Sequence, residues 1–374
     1  MELKAPILLL AILALHAAKA QSTLPLIHAT SKTVSIRDGD YFDKDTWNLS
    51  PKARPDIYTA DRSRKTKYVS FYTDIDSIKI KLKPGAKVDF IILYNNTDSC
   101  FTEVVSTAPK PPAGPETHDT IPFTLTANSA IHVKSTVNDT ATLDLHFDAS
   151  SFDLALTTPN YKKFRPLSKL QIGPLTWTHP KLYNAGQTAT GMDGRFGWNL
   201  FEGKCIELDY DHNLLIIHSK RPNNLKGYTR SKLDFFRSYP SIKATIVAQN
   251  KSYTGDFILD TGSDQSVFLD GSWAAKVNFP TNLKLLSTSV MHDGGGHKYE
   301  NKIVESPSLS IEGADFANIP TWLLNTRNPA GFQINLLGND LLKRFNIIMD
   351  FQDDYIYLKP NGLYNSPFKN GASS

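Results

Sequence analysis

An apolar run leads directly into an acidic turn at residues 256–263, which read Asp256-Phe257-Ile258-Leu259-Asp260-Thr261-Gly262-Ser263. Apolar residues resume shortly afterwards, at Val267 and Phe268. Short apolar runs bounded by turn residues are typical of buried β-strands. The pattern therefore predicts that a buried strand ends at Asp260 and breaks into a tight turn that carries its carboxylate.

This segment resembles the active-site segment of the aspartic peptidases, both pepsin-like and retropepsin-like. Two such turns meet across a two-fold axis in that family, so the resemblance implies a second Asp turn elsewhere in the chain. It also implies the fold class, which is mainly β: a bilobal, aspartic-peptidase-like double β-barrel. Alternation in the preceding region adds a small antiparallel β domain before the two lobes.

An internal repeat supports the two-lobed interpretation. In the first copy Gly197-Trp198-Asn199-Leu200-Phe201 leads to Asp209, and in the second Gly338-Asn339-Asp340-Leu341-Leu342 leads to Asp350. The aspartate follows the glycine by twelve positions in both copies, and without any gap apolar residues coincide at four positions between them, Leu200/Leu341, Phe201/Leu342, Ile206/Ile347 and Leu208/Met349. Duplication of one β-rich lobe explains this agreement. We interpret Asp209 and Asp350 as structural residues at the start of a hairpin.

The two glycines that open the copies are candidate structural residues of the site. Apolar residues precede both Gly197 and Gly338, as in the apolar-Gly step of aspartic peptidase lobes. A side chain at that step would collide with the Asp turn, so glycine is expected there. The repeat further predicts a short helix that begins near Leu200 or Leu341, and then a two-stranded hairpin.

Asp148 is the matching acid of the first lobe. An alternating strand ends there, and a serine, Ser151, follows three positions later as Ser263 follows Asp260. The first turn differs from the second at the two positions between these residues, where Ala149 and Ser150 replace the equivalents of Thr261 and Gly262. The family resemblance implies that the Thr hydroxyls lock the turns to each other and that the glycine admits a backbone amide beside the carboxylate. The first turn can therefore supply only part of this support.

The resemblance implies hydrolysis of a peptide or protein substrate in the cleft. Two carboxyl groups, here Asp148 and Asp260, share one proton and hold the attacking water, so no metal or other cofactor is expected. The supporting turn residues are Thr261, Gly262, Ser263, Ala149 and Ser150. Because the first turn is altered, a second interpretation stays open, in which an inactive module binds a peptide or a cell-envelope partner. A third, a symmetric dimer with Asp260 from each chain, would leave the first lobe without a role.

Three consecutive glycines in the second lobe form a candidate flap. Gly294, Gly295 and Gly296 suit the tip of a mobile hairpin that covers a cleft. Glycines carry no chemistry themselves, so an ordinary surface loop is an equal alternative.

Composition shifts divide the chain of 374 residues. Prolines between Pro109 and Pro115 indicate an extended linker. Alternation at residues 78–83 indicates half-buried strands upstream of it. The expected organisation is a signal peptide (1–20), an N-terminal β domain (21–108), a Pro-rich linker (109–117), a degenerate first lobe (118–222), a second lobe (223–362) and a C-terminal tail (363–374).

The composition is that of a globular protein, with a formal net charge of +4 spread evenly along the chain. No basic stripe indicates nucleic-acid binding. The apolar stretch at residues 5–17 is too short to span a bilayer and indicates export, to a periplasm, cell envelope or medium, with no stable membrane span after cleavage. A retained short anchor is the alternative. Cys100 and Cys205 are interpreted as buried thiols, and a disulfide between them is the alternative. The mature protein is expected to be a monomer.

Overall fold

The computed structural model of the protein describes residues 24–52, 55–107, 115–186, 188–292, 298–325 and 334–369. The chain divides into one unit of Met1–Ala60 with Thr66–Val105 and a second unit of Asp61–Lys65 with Ser106–Ser374. The predicted signal peptide, residues 109–114 of the linker and the three glycines of the candidate flap lie outside the described residues. Among the helices that are described, none has the length and apolar character needed to cross a bilayer.

Two four-stranded sheets build the first unit. Their strands are β1 (Leu26–Ala29), β2 (Thr33–Asp38), β3 (Tyr41–Asn48), β4 (Asp56–Ala60), β5 (Lys67–Tyr72), β6 (Ser77–Leu82), β7 (Lys87–Tyr94) and β8 (Asp98–Ser106). The sheet orders are β1-β7-β8-β4 and β3-β2-β5-β6. The pairing of β1 with β7 is parallel, which the expected antiparallel domain did not include. Alternation within a strand reports its buried face but not the direction of its partner.

The second unit holds both lobes. Its elements are β9 (His118–Pro122), β10 (Thr124–Leu125), β11 (Ile131–Val137), β12 (Ala141–Asp148), β13 (Leu154–Thr157), α1 (Thr158–Phe164), β14 (Lys169–Ile172), β15 (Leu175–Thr178), β16 (Leu182–Gly186), β17 (Gly194–Gly197), a 3₁₀ helix (Trp198–Phe201), β18 (Cys205–Asp209), β19 (Leu214–His218), β20 (Thr229–Lys232), β21 (Asp234–Phe236), β22 (Tyr239–Ala248), β23 (Lys251–Asp260), β24 (Val267–Leu269), α2 (Gly271–Lys276), β25 (Leu285–His292), β26 (Lys298–Ile311), β27 (Ala314–Leu323), β28 (Asn335–Gly338), α3 (Asn339–Leu342), β29 (Phe345–Asp350) and β30 (Tyr355–Pro360).

The lobes repeat one strand topology. In the first lobe β12 pairs with β11 antiparallel and with β17 parallel, and β13 pairs with β17 antiparallel and with β16 parallel. In the second lobe β23, β22, β28, β24 and β27 make the same four kinds of pairing. The duplication predicted from the sequence repeat is therefore present at the level of the sheets.

The two lobes differ mainly in length. The second lobe closes through the long hairpin of β26 and β27, because β26 pairs with both β22 and β27. The equivalent of β27 in the first lobe is split into β15 and β16. The second lobe also carries β25, which extends the hairpin through the pair His292 and Lys298. The trimmed first lobe expected from the sequence therefore has shorter hairpins.

A third, six-stranded sheet joins the lobes, in the order β20-β30-β29-β18-β19-β9. The hairpin that follows each repeat contributes to it, and β18 pairs with β29 antiparallel, with Cys205 opposite Asp350. The sequence predicted one hairpin in each lobe but not the pairing of the two hairpins with each other. The strands of both hairpins are apolar and of similar length, and nothing in their residue pattern specifies which strands pair.

The short helices of the repeat begin directly after the glycines. Trp198 and Asn339 are the first residues of the 3₁₀ helix and α3, two positions earlier than expected from the apolar pattern. Gly197 and Gly338 occupy the N-cap positions with extended backbone and no side-chain cap. The helix start is thus set by the end of the buried strand.

Both glycines lie against a neighbouring carbonyl. A Cβ on Gly197 would lie 2.1 Å from the carbonyl oxygen of Ser151, and a Cβ on Gly338 would lie 2.1 Å from that of Gln265. These contacts are far below van der Waals distance, and the partners are backbone atoms that cannot rotate away. The close approach of strand and Asp turn therefore requires glycine in both lobes.

Replacing Gly338 by alanine is expected to lower the free energy of unfolding by about 3 kcal/mol, the upper range for overpacking a rigid site. The backbone φ of Gly338 is −86°, so the cost would come from the clash and not from backbone strain. Gly313→Ala is the matched control, since φ there is +83° but no atom lies within 4 Å of the added Cβ. Urea unfolding of both variants checks this, and an equal loss in the two would contradict it.

Candidate active site

The two Asp turns meet inside the second unit. Asp148 ends β12 and pairs in register with Gly197 on β17, and Asp260 ends β23 and pairs in register with Gly338 on β28. Both strands are buried, and Phe147 and Leu259 belong to the same apolar core. The topology thus places the two carboxyl groups at equivalent ends of equivalent strands.

Thr261 locks the second turn to the first. Its hydroxyl donates to the carbonyl oxygen of Phe147 at 3.1 Å and accepts from the backbone N–H of Ala149 at 2.8 Å. Thr261 is buried, and Ala149 is buried opposite it. Because Ala149 has no hydroxyl, the reciprocal pair of hydrogen bonds cannot form, and the turns are held from one side only.

The backbone amides of both turns bind the carboxyl groups. Ser150 N–H donates to Asp148 Oδ1 at 2.8 Å, and Gly262 N–H donates to Asp260 Oδ1 at 3.2 Å. Gly262 also faces the opposite acid, since a Cβ there would lie 2.7 Å from Cγ of Asp148. Glycine is therefore needed on the second turn for the two carboxyl groups to approach each other.

Ser150 has a side chain where the second turn has none, and its hydroxyl contacts both acids. Its Oγ lies 2.8 Å from Asp148 Oδ1 and 3.0 Å from Asp260 Oδ1. A hydroxyl has one hydrogen to donate. The second contact is satisfied when one carboxyl group is protonated, because its O–H can then donate to the serine oxygen. One hydroxyl thus bridges the pair.

Asp260 holds its proton to near-neutral pH. Burial, first, and the negative charge of Asp148, second, raise the pKa of Asp260 to about 7, while hydrogen bonds from Ser150 and the backbone oppose the rise. A carboxyl group that keeps its proton near neutral pH beside a second carboxyl group is suited to general acid–base chemistry. Below about pH 7 Asp260 therefore has a proton that it could donate.

The raised pKa predicts a pH-dependent stability. Between the ordinary pKa near 3.8 and the folded-state pKa near 7, the unfolded chain releases the proton of Asp260 first, so rising pH favours unfolding. Asp260→Asn is expected to stabilise the protein by about 2 kcal/mol at pH 8, half of the full linkage because the side chain is partly exposed, and by little at pH 4. Denaturant titrations at the two pH values measure this. Asp256→Asn, on the same strand, is the control, and an equal pH dependence in both would contradict the assignment.

The acids open into a cavity of about 440 Å³. The described residues that line it are His146, Asp148, Ser150, Thr188, Ala189, Arg195, Asp260, Gly262 and Ser263. Most of them belong to the first lobe, and none belongs to the described part of the β25–β26 hairpin. The candidate flap glycines lie outside the described residues, so the flap stays a prediction.

Three residues that line the cavity, His146, Arg195 and Thr188, were not predicted from the sequence. His146 on β12 pairs in register with Arg195 on β17. The equivalent pair in the second lobe, Ile258 and Leu336, is apolar. Aligning the two copies outward from their Asp and Gly residues would have revealed this exchange of an apolar pair for a polar one.

The residues that were not assigned to the active site from the sequence have structural contacts. The buried carboxylate of Asp350 accepts from the N–H groups of Gln352 and Asp353, and Asp209 accepts from that of His212, so both fix hairpin turns. Cys100 and Cys205 are buried thiols that are not joined by a disulfide. No cluster of three or more metal-ligating side chains occurs in the described part of the chain.

No protein-family model and no curated protein sequence matches this chain. Among solved structures, it is similar to the aspartic proteinase from Irpex lacteus at a TM-score of 0.45 and 13% sequence identity, over 68% of this chain and 100% of that chain. The strand topology establishes the fold class. The mainly β, bilobal fold predicted from the sequence is confirmed by the two equivalent lobe sheets.

Proposed function

We propose that this protein hydrolyses peptide bonds with the carboxyl pair Asp148 and Asp260. The observation that carries the proposal is the meeting of the two acids across the lobes, where one hydroxyl, that of Ser150, reaches both. The raised pKa of Asp260 supports it, because Asp260 then keeps a proton to donate up to near-neutral pH. The cavity beside the pair supplies room for a substrate.

The proposed reaction uses the proton that Asp260 keeps. A water molecule attacks the scissile carbonyl carbon as ionised Asp148 accepts one of its protons, and Asp260 donates its own proton to the carbonyl oxygen. The product is a neutral tetrahedral diol. Asp148 then passes its proton to the amide nitrogen, the C–N bond breaks, and one diol hydroxyl returns a proton to Asp260. The overall reaction adds one water to one peptide bond, and the pair recovers its starting protonation.

The position of Ser150 favours a second candidate, a peptide-binding protein with little or no turnover. The hydroxyl hydrogen-bonds the same carboxyl oxygens that a water bound between the acids would use. A charge-assisted hydrogen bond contributes about 1.5–3 kcal/mol, and a water must displace it. The same cavity would then bind an extended peptide without cutting it.

Cleavage of an unfolded protein across pH 3–9 tests the proposal. We expect hydrolysis below about pH 7 and its loss above, since Asp260 must carry the proton. A peptide with a hydroxyethylene group in place of the scissile amide should inhibit it, because the hydroxyl mimics one arm of the diol. Binding of that peptide without cleavage at any pH would favour the second candidate, and neither binding nor cleavage would refute both.

A further inference from the structure

Arg195 brings a positive charge to the floor of the cavity. It lies on β17, two residues before Gly197, and its register partner on β12 is His146, two residues before Asp148. Side chains two apart on a strand share a face. Arg195, His146 and Asp148 therefore face the same space, and all three line the cavity.

The guanidinium of Arg195 is only partly used by the protein. Its Nε donates to Ser151 Oγ at 3.1 Å and lies 3.8 Å from Asp148 Oδ2. Its two Nη groups make no hydrogen bond to any residue that the structure describes, and the side chain is 31% exposed. The outer edge of the guanidinium, with its paired N–H donors, is thus available to a ligand.

The neighbouring polar groups do not compete for this role. His146 is buried, and its Nε2 contacts Thr188 Oγ1 at 2.8 Å. Burial, first, and the charge of Arg195 lower the pKa of His146, while the charge of Asp148 opposes this. Asp260 keeps its proton below about pH 7, and a guanidinium is always charged, so Arg195 is the cation of the cavity. Tyr239, which lies near Asp148 and Arg195, is uncharged in this range because burial raises its pKa.

We propose that Arg195 is a specificity residue that binds a carboxylate side chain of the substrate, so that peptides with Asp or Glu beside the scissile bond are preferred. This inference depends on the proposed function. A guanidinium edge with two parallel N–H donors matches a carboxylate, and a neutral amide cannot replace that charge.

Paired peptides that differ only by Glu against Gln at one position beside the cleaved bond test this at pH 5.5. We expect kcat/KM to favour Glu by about 10- to 100-fold. The preference should fall below about pH 4, where the substrate side chain is protonated. Arg195→Leu, which copies Leu336, should remove the preference, and Arg195→Lys should keep part of it. Arg230→Leu, outside the cavity, is the control and should keep all of it.

An unchanged Glu-to-Gln ratio in Arg195→Leu would overturn the proposal even if all proteins cleave. If no peptide is cut, the proposed hydrolysis fails, and the dissociation constants of the same peptides then test the subsite alone. Tighter binding of the Glu peptide to the wild type, lost in Arg195→Leu, would support the carboxylate site. Equal binding of both peptides would refute it.

Discussion

Asp260→Asn is expected to reduce peptide hydrolysis at pH 5 by at least about 1,000-fold. An asparagine cannot donate an acidic proton to the carbonyl oxygen, and it removes the partner whose proton makes the pair asymmetric. The backbone contact survives, because an amide oxygen can still accept from Gly262 N–H, which donates to Asp260 Oδ1 at 3.2 Å. The loss should therefore appear in kcat more than in KM.

Asp148→Asn should lose as much activity, because the acids act as one unit and removal of either stops the reaction. The double variant should be no worse than either single variant. Asp256 lies on the strand that ends at Asp260 but outside the cavity, so the Asp256→Asn variant should retain wild-type activity. If Asp148→Asn kept substantial activity while Asp260→Asn lost it, the two-lobe mechanism would be wrong, and a dimer that pairs two copies of Asp260 would be the arrangement to examine.

The second large effect concerns the altered first turn. Ser150→Gly is expected to raise kcat by roughly 10- to 100-fold, because the attacking water no longer has to displace a hydroxyl that contacts both acids. The change also restores the symmetry of the site, since Gly262 occupies the equivalent position of the second turn. Single-turnover rates at pH 5 measure the chemical step directly.

Ala149→Thr tests the missing half of the lock separately. Thr261 makes two backbone hydrogen bonds to the first turn, and a threonine hydroxyl at position 149 can make the same two bonds to the second turn. We therefore expect the free energy of unfolding to rise by about 1 kcal/mol. The effect of Ala149→Thr on kcat should be smaller than that of Ser150→Gly.

If Ser150→Gly lowered kcat, the Ser150 hydroxyl would have a supporting role in the reaction. The idea that this hydroxyl competes with the attacking water would then be disproved.

Much of the site could be located in advance. Asp260, Thr261 and Gly262 formed a recognisable turn, and the twelve-residue spacing from Gly197 to Asp209 and from Gly338 to Asp350 exposed the duplication. These features are local, because strand, turn and close-packed glycine each leave their mark within a few residues. Asp148 was harder to find, since Ala149 and Ser150 had removed the turn's signature, and it was indicated by the alternating strand that ends there and by Ser151 three positions later.

The charge on the cavity wall depended on strand pairing. His146 and Arg195 are 49 positions apart, and only the parallel register of β12 with β17 brings them to one face beside Asp148. The same holds for Cys205 and Asp350, which the joining sheet places opposite each other. Neighbours across a sheet are set by register, and one residue of slippage would turn each side chain to the other face.

By itself, the sequence determined a duplicated β-rich lobe, two acidic turns and the glycines that let strand and turn pass, because each of these is encoded by short-range sterics and apolar periodicity. The tertiary structure alone decided that Ser150 reaches both acids, that Thr261 provides the only Thr lock between the two Asp turns, and that Arg195 faces the cavity. Those relations join segments far apart in the chain, and their distances follow from how the two lobes pack, which no local pattern specifies.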